Sequence, residues 1–197
     1  MSVQNNIDVP DDEIDPRYPT GESPEHRASR LTRVKELQDR HLGHLERLSL
    51  EIGGKTPQGY EAELQNEGYH ISEHAKYLLA KVTTAKERQT LDLVRLKVSD
   101  LGFKDMTRYD QICARAEELD LERCPAEVGP ALRLVMKDQP MGDWVIVAME
   151  LLTHRDGYPR VFRIHRDEGG SWLYTRNGHP GDQWYPGDSF VFARRKH

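Results

Sequence analysis

Two glycine turns, set into runs of alternating side chains, constrain this chain more than any other feature. Asp156-Gly157 and Gly169-Gly170 are tight-turn dipeptides, and the segments beside them alternate apolar and polar residues with a period of two. Alternation of that kind continues from Leu132 to the end and predicts strands over 132–136, 143–153, 159–166, 171–175 and 189–194. The back half therefore reads as an antiparallel sheet. If Asp156-Gly157 centres the first turn, Leu151 faces Phe162 and Met149 faces Ile164; a second loop over 167–170 sets Ile164 beside Leu173.

The front half carries a different period. Ser23 precedes Pro24, a favourable helix start in which the hydroxyl caps free amides and proline loses no needed donor. Leu31, Val34, Leu37, His41, Leu45, Leu48 and Ile52 then recur in steps of three and four, which predicts an amphipathic helix over 24–52 ending at Gly53-Gly54. A helix of that length suits a coiled-coil contact with a protein partner or a second copy of the chain. Ser72 caps a further short helix with Ala75, Leu78, Leu79 and Val82 inward, so 24–52 is expected to pack on 57–82 as a helical hairpin. The expected fold class is α+β, an N-terminal helical hairpin followed by a mostly antiparallel sheet with one or two short helices. The expected division is an acidic disordered tail over 1–22, a helical region over 23–82 and an α+β domain over 91–197.

Composition enters as a filter on function. Hydrophobic residues make up 37% and charged residues 31%, with a formal charge of -5. That charge gives no broad positive field for nucleic acid, and an expected acidic surface of Glu117, Glu118, Asp120, Glu122 and Glu127 argues against phosphate contact at 107–134. No run of about 20 apolar residues is present, so no membrane span is expected. The N-terminus lacks a basic, then apolar, leader, and Cys113 and Cys124 form no CxxC pair; a cytoplasmic protein with free thiols is the expectation.

On the proposed register the sheet's outer face gathers Glu150 opposite Arg163, with His165 beside Trp172, Arg163 beside Tyr174, and His154 near the turn. Aromatics with directed donors suit a recognition surface. Ordinary cross-strand support is the competing explanation. The loop 176–188, bearing His179 and Trp184, either lines a pocket or lays Trp184 over the core edge. The leading function is a binding protein using Glu150, Arg163, His165, Trp172, Tyr174, His179 and Trp184. The alternative is a small hydrolase or nuclease-like toxin with His165 or His179 as general base, Asp182 or Glu150 as its partner, and Arg163 stabilising an anion. His70 and His74, and likewise His41 and His44, have spacings that occur by coincidence among nine histidines, so no metal site is assigned. Walker, Rossmann and nucleophile-elbow motifs are absent, so no cofactor is expected.

Overall fold

In the computed structural model, residues 23–25, 28, 29, 32 and 46–195 are described. The predicted acidic tail, and positions 33–45 of the predicted long helix, lie outside them. Strands β1 (Glu46–Ile52), β2 (His70–Ile71), β3 (Gln89–Lys97), β5 (Leu121–Glu122), β6 (Trp144–Val147), β7 (Leu152–Thr153), β8 (Pro159–Asp167), β9 (Gly170–Asn177) and β11 (Ser189–Arg194) form one mixed sheet. Its order is β1-β3-β11-β6-β8-β9-β2, with β5 beside β11 and β7 beside β8. The pairs β11–β6 and β2–β9 are parallel. A separate ribbon pairs β4 (Thr107–Arg108) with β10 (Gln183–Trp184).

The helical hairpin is overturned. Residues 46–52 are strand, pairing with β3 so that Leu50 faces Leu91 and Leu48 faces Leu93. Steps of three and four through Leu45, Leu48 and Ile52 coexist here with alternation through Leu48, Leu50 and Ile52, and tertiary pairing selects the second. Gly53 and Gly54 accordingly end a strand, both at positive φ. The helices α1 (Pro57–Asn66), α2 (Glu73–Leu79), α3 (Tyr109–Glu118) and α4 (Val128–Val135) are short and interspersed among strands. With 46–52 in a strand, a helix over 24–52 and the coiled coil built on it are overturned. The strand expected over 132–136 belongs instead to α4.

Local chemistry explains the short helices. Thr56 accepts from the Gly59 amide at 3.1 Å and Pro57 occupies the first turn of α1, whose Tyr60 and Leu64 are buried four residues apart. Ser72 accepts from the Ala75 amide at 3.2 Å and opens α2, burying Ala75, Leu78 and Leu79. Helices α1, α2 and α4 cover one sheet face, where Leu50, Leu93, Val147, Phe162, Ile164 and Leu173 are buried. On the other face Tyr109 of α3 and Trp184 of β10 pack on Phe190 at 6.1 and 5.0 Å between ring centroids.

Helix α4 approaches the sheet through Gly129. A Cβ there would lie 2.5 Å from Cδ2 of Phe162 and 2.6 Å from its Cγ, on a ring with no exposed surface to move into. Gly129→Ala should therefore cost about 2 kcal/mol by overpacking, read as a lower urea midpoint at unchanged slope. An unchanged midpoint would show that the helix rides freely over Phe162.

The sheet's two predicted registers part company. Ile164 faces Leu173 as the Gly169-Gly170 turn requires. The predicted strand 143–153, however, is two strands. Val145 faces Ile164 in β6, and Leu152 faces Arg160 in β7, so Phe162 lies opposite Thr175 of β9 rather than Leu151. Between them the chain turns aside. The Ala148 amide donates to Val191 O at 3.0 Å. The Tyr109 hydroxyl takes up Met149, accepting from its amide at 2.8 Å and donating to its carbonyl at 2.6 Å. A buried tyrosine that satisfies both backbone groups removes Met149 from the ladder.

Among the described residues no helix is long and apolar enough to cross a membrane.

Candidate active site

The turn between β7 and β8 does more than reverse the chain. His154 donates its backbone amide to Tyr158 O at 3.0 Å, and Gly157, at positive φ, donates to His154 O at 3.0 Å. Asp156 sits inside this loop and folds its carboxylate back. One oxygen accepts from the Tyr158 amide at 3.0 Å; the other meets the Arg160 guanidinium at 2.7 Å and Nδ1 of His154 at 3.0 Å. The Tyr158 amide first, then Arg160 and His154, hold the Asp156 carboxyl well below the usual carboxylate range, against the opposing pull of partial desolvation. Asp156 is therefore an anion, able only to accept.

His154 is buried, at 4% exposure, and its Nε2 lies 3.2 Å from Nδ1 of His74. His74 arrives from far off in sequence. Strand β2 pairs with β9 in parallel, His70 facing Trp172, and α2 begins immediately after it with His74 in its first turn. The two imidazoles meet edge to face, their centroids 4.5 Å apart, and the Tyr77 ring lies 4.6 Å from that of His154.

Tautomers follow from Asp156 outward. A carboxylate at 3.0 Å outweighs the Asp156 amide, which reaches His154 Nδ1 only at 3.4 Å, so Nδ1 carries the proton. Nε2 of His154 must then accept, and His74 donates to it through Nδ1–H. That leaves a lone pair on Nε2 of His74, an exposed residue, and among the described residues nothing is hydrogen-bonded to it. Desolvation first, then the positive charges of Arg160 and Arg155 and the neighbouring His154 ring, hold His74 below the usual imidazole range, so the ring is neutral near pH 7.

His74, His154 and Asp156 each offer a ligand atom, all within 4.8 Å of one another, and could hold a metal ion. Two features weigh against a cation. Asp156 is already engaged by Arg160, and Arg155 and Arg160 raise the local potential. The pair His70 and His74 does not share a helix, for His70 lies on β2. His41 and His44 lie outside the described residues.

The residues singled out in the sequence divide into three groups. Arg163, His165, Trp172 and Tyr174 do come together. Arg163 faces Tyr174 and His165 faces Trp172, Trp172 stacks on Tyr174 at 4.9 Å, and all four are half-buried. Trp144 on one side and His70 on the other extend the row across four strands. Glu150 is not opposite Arg163, a place taken by Ile146; it stands exposed and pairs with Arg123 at 2.8 Å. In the 176–188 loop Trp184 is 1% exposed and packed on Phe190, while His179 is exposed, its Nδ1 accepting from the Gly181 amide at 3.1 Å. His165 has a carboxylate neighbour, Asp167 at 3.2 Å, but its other nitrogen, Nδ1, is buried without a partner and has no opening to a substrate. Asp156 was legible only as a turn residue, and His74 only in the wrong pair. The one signal in the sequence is His154 and Asp156 two apart across a tight turn, and nothing in it points to His74.

Comparison of the chain with protein-family models, curated proteins and solved structures finds no match.

Proposed function

We propose that this protein is a small hydrolase working by general acid–base catalysis, with His74 as the base, His154 as its orienting partner and Asp156 as the anchor of the relay. The observation that carries this reading is the chain of two hydrogen bonds, Asp156 to His154 and His154 to His74, ending on an exposed histidine whose Nε2 has no partner among the described residues. General acid–base catalysis needs a group that is unprotonated at working pH, within reach of the substrate proton and fixed in one tautomer. Nε2 of His74 meets the first and third conditions, and its exposure supports the second. As it takes a proton from an attacking water, the resulting imidazolium keeps its Nδ1–H on His154, whose ring is braced by the Asp156 anion.

The test is hydrolysis of chromogenic esters (p-nitrophenyl acetate, p-nitrophenyl phosphate and bis-p-nitrophenyl phosphate) by wild type, His74→Ala and Asp156→Asn. Turnover of any of the three that both substitutions abolish is expected. Turnover indifferent to both would remove the assignment, and saturating zinc or cobalt binding at the cluster, with activity only in the metal form, would replace it with a metal centre.

The depressed His74 value has a second consequence. A histidine whose folded value lies below the unfolded 6.5 binds fewer protons when folded, so its contribution to stability is complete above 6.5 and is lost as pH falls through the folded value. Imidazole proton resonances of His74 should titrate with a midpoint below about 6.5. A midpoint above it would contradict the positive surroundings described.

A second reading rests on the row Trp144, His165, Trp172 and His70, with Arg163 and Tyr174 alongside. In that reading the outer face of the sheet binds a partner through aromatic contact area and directed donors. Trp172→Ala should then weaken partner capture with the fold intact, and a well-folded variant with undiminished capture counts against it.

A further inference from the structure

We infer that the group recognised beside His74 is a phosphate ester, with Lys81 and Arg155 as its binding residues and Arg160 as a fixed positive background; this inference rests on the acid–base reading above. The protein as a whole carries a charge of -5, yet the surroundings of the relay invert that sign. Lys81 follows α2 and reaches over to the relay's own strand, its Nζ 2.8 Å from Thr153 O, the residue before His154. The same ammonium lies 4.7 Å above the Tyr77 ring, which in turn packs on His154. Arg155 stands exposed between His154 and Asp156, and among the described residues no acidic partner is recorded for it. Arg160 is mostly buried, at 15% side-chain exposure, and holds Asp156 in place.

Arg155 and Arg160 act on His74 itself and Lys81 sits on the His154 side of the relay, against Asp156 and the neighbouring Glu73, and the one carboxylate in the relay is already saturated by three donors. Two exposed cations without a carboxylate partner among the described residues, Lys81 held over Tyr77 by Thr153 O and Arg155 beside His154, stand where an incoming anion would meet a neutral base. A carboxylic ester needs donors aimed at one developing oxyanion. A phosphoryl group instead spreads charge over several oxygens and is stabilised by separate cations around it, which is the arrangement found here.

The experiment is a titration of the full chain with inorganic phosphate, followed through the imidazole resonances of His74 and His154, with sodium chloride at matched ionic strength as the control. Saturable shifts are expected with phosphate alone, and Arg155→Ala and Lys81→Ala should each weaken binding roughly tenfold, the loss of one charge-assisted contact. Both positions are exposed, so the fold is retained. The same substitutions should raise KM for p-nitrophenyl phosphate or its diester with little change in kcat. Hydrolysis of p-nitrophenyl acetate that depends on His74, together with no phosphate shift and no phosphate-ester turnover, overturns the phosphate assignment while the acid–base reading stands. Phosphate shifts that both substitutions weaken, with no ester hydrolysed at the expense of His74, support phosphate recognition and overturn the acid–base reading.

Discussion

Replacing Glu127 with alanine should destabilise the protein by about 4 kcal/mol, within the range for breaking a buried, fully hydrogen-bonded charge. Glu127 is 1% exposed, just ahead of α4. Its Oε1 accepts from the Gly53 amide and from the Tyr60 hydroxyl, each at 2.9 Å, and its Oε2 accepts from the Ala85 amide at 2.7 Å. One carboxylate thus ties together the end of β1, the core face of α1 and the connector that leads into β3. Burial first, then Glu127, pushes the Tyr60 phenol far above its ordinary value, so the hydroxyl stays a donor at any working pH. Alanine would leave two backbone amides and a phenol without their acceptor, the Gly53 amide and the Tyr60 hydroxyl among them buried. Chemical denaturation of wild type and variant reads the loss directly. A difference under about 1 kcal/mol would mean that water reaches all three donors.

Removing the imidazole of His74 should lower kcat by roughly 10²- to 10⁴-fold, the usual worth of a positioned general base. The side chain is exposed in the first turn of α2, where Ser72 supplies the cap, so His74→Ala should cost the fold little beyond the hydrogen bond to His154 Nε2, about 1 kcal/mol. That separation of activity from stability distinguishes a base from a structural histidine. Asp156→Asn should be milder in geometry and still severe in rate. An amide in place of the carboxylate keeps the Tyr158 contact but can present a donor to His154 Nδ1, which favours the opposite tautomer. If His74→Ala retained wild-type kcat on a substrate that wild type hydrolyses, the base would have to be sought outside this relay.

Much of the local structure was legible in the residues, and the long-range arrangement was not. Ser72 marks a helix start that the structure keeps, and Gly169-Gly170 sets the β8–β9 register through Ile164 and Leu173. Those features depend on neighbours in sequence. The identity of β1 depends on β3, some 40 residues away, whose Leu91 and Leu93 meet Leu50 and Leu48; nothing within 46–52 decides between a helical stripe and a strand. The break at Ala148–Met149 depends on a tyrosine hydroxyl from α3, and it shifts Glu150 away from the face to which alternation assigns it. The candidate site failed to appear for the same reason. His74 reaches His154 only because β2 lies parallel to β9, and a two-residue parallel strand carries no periodic signal. Aromatic and arginine side chains of β8 and β9 were found because a single hairpin brings them together.

The central claim is the directional relay from Asp156 through His154 to His74, and its most direct test is the tautomer of each ring. Long-range proton–nitrogen correlation of the imidazoles in the full chain, above the titration range, separates Nδ1–H from Nε2–H. The account predicts Nδ1–H on both His154 and His74, with His154 shifting toward Nε2–H in Asp156→Asn. His154 found as Nε2–H in the wild type would reverse the hydrogen bond to His74, leave Asp156 without a donor from the ring, and contradict the relay.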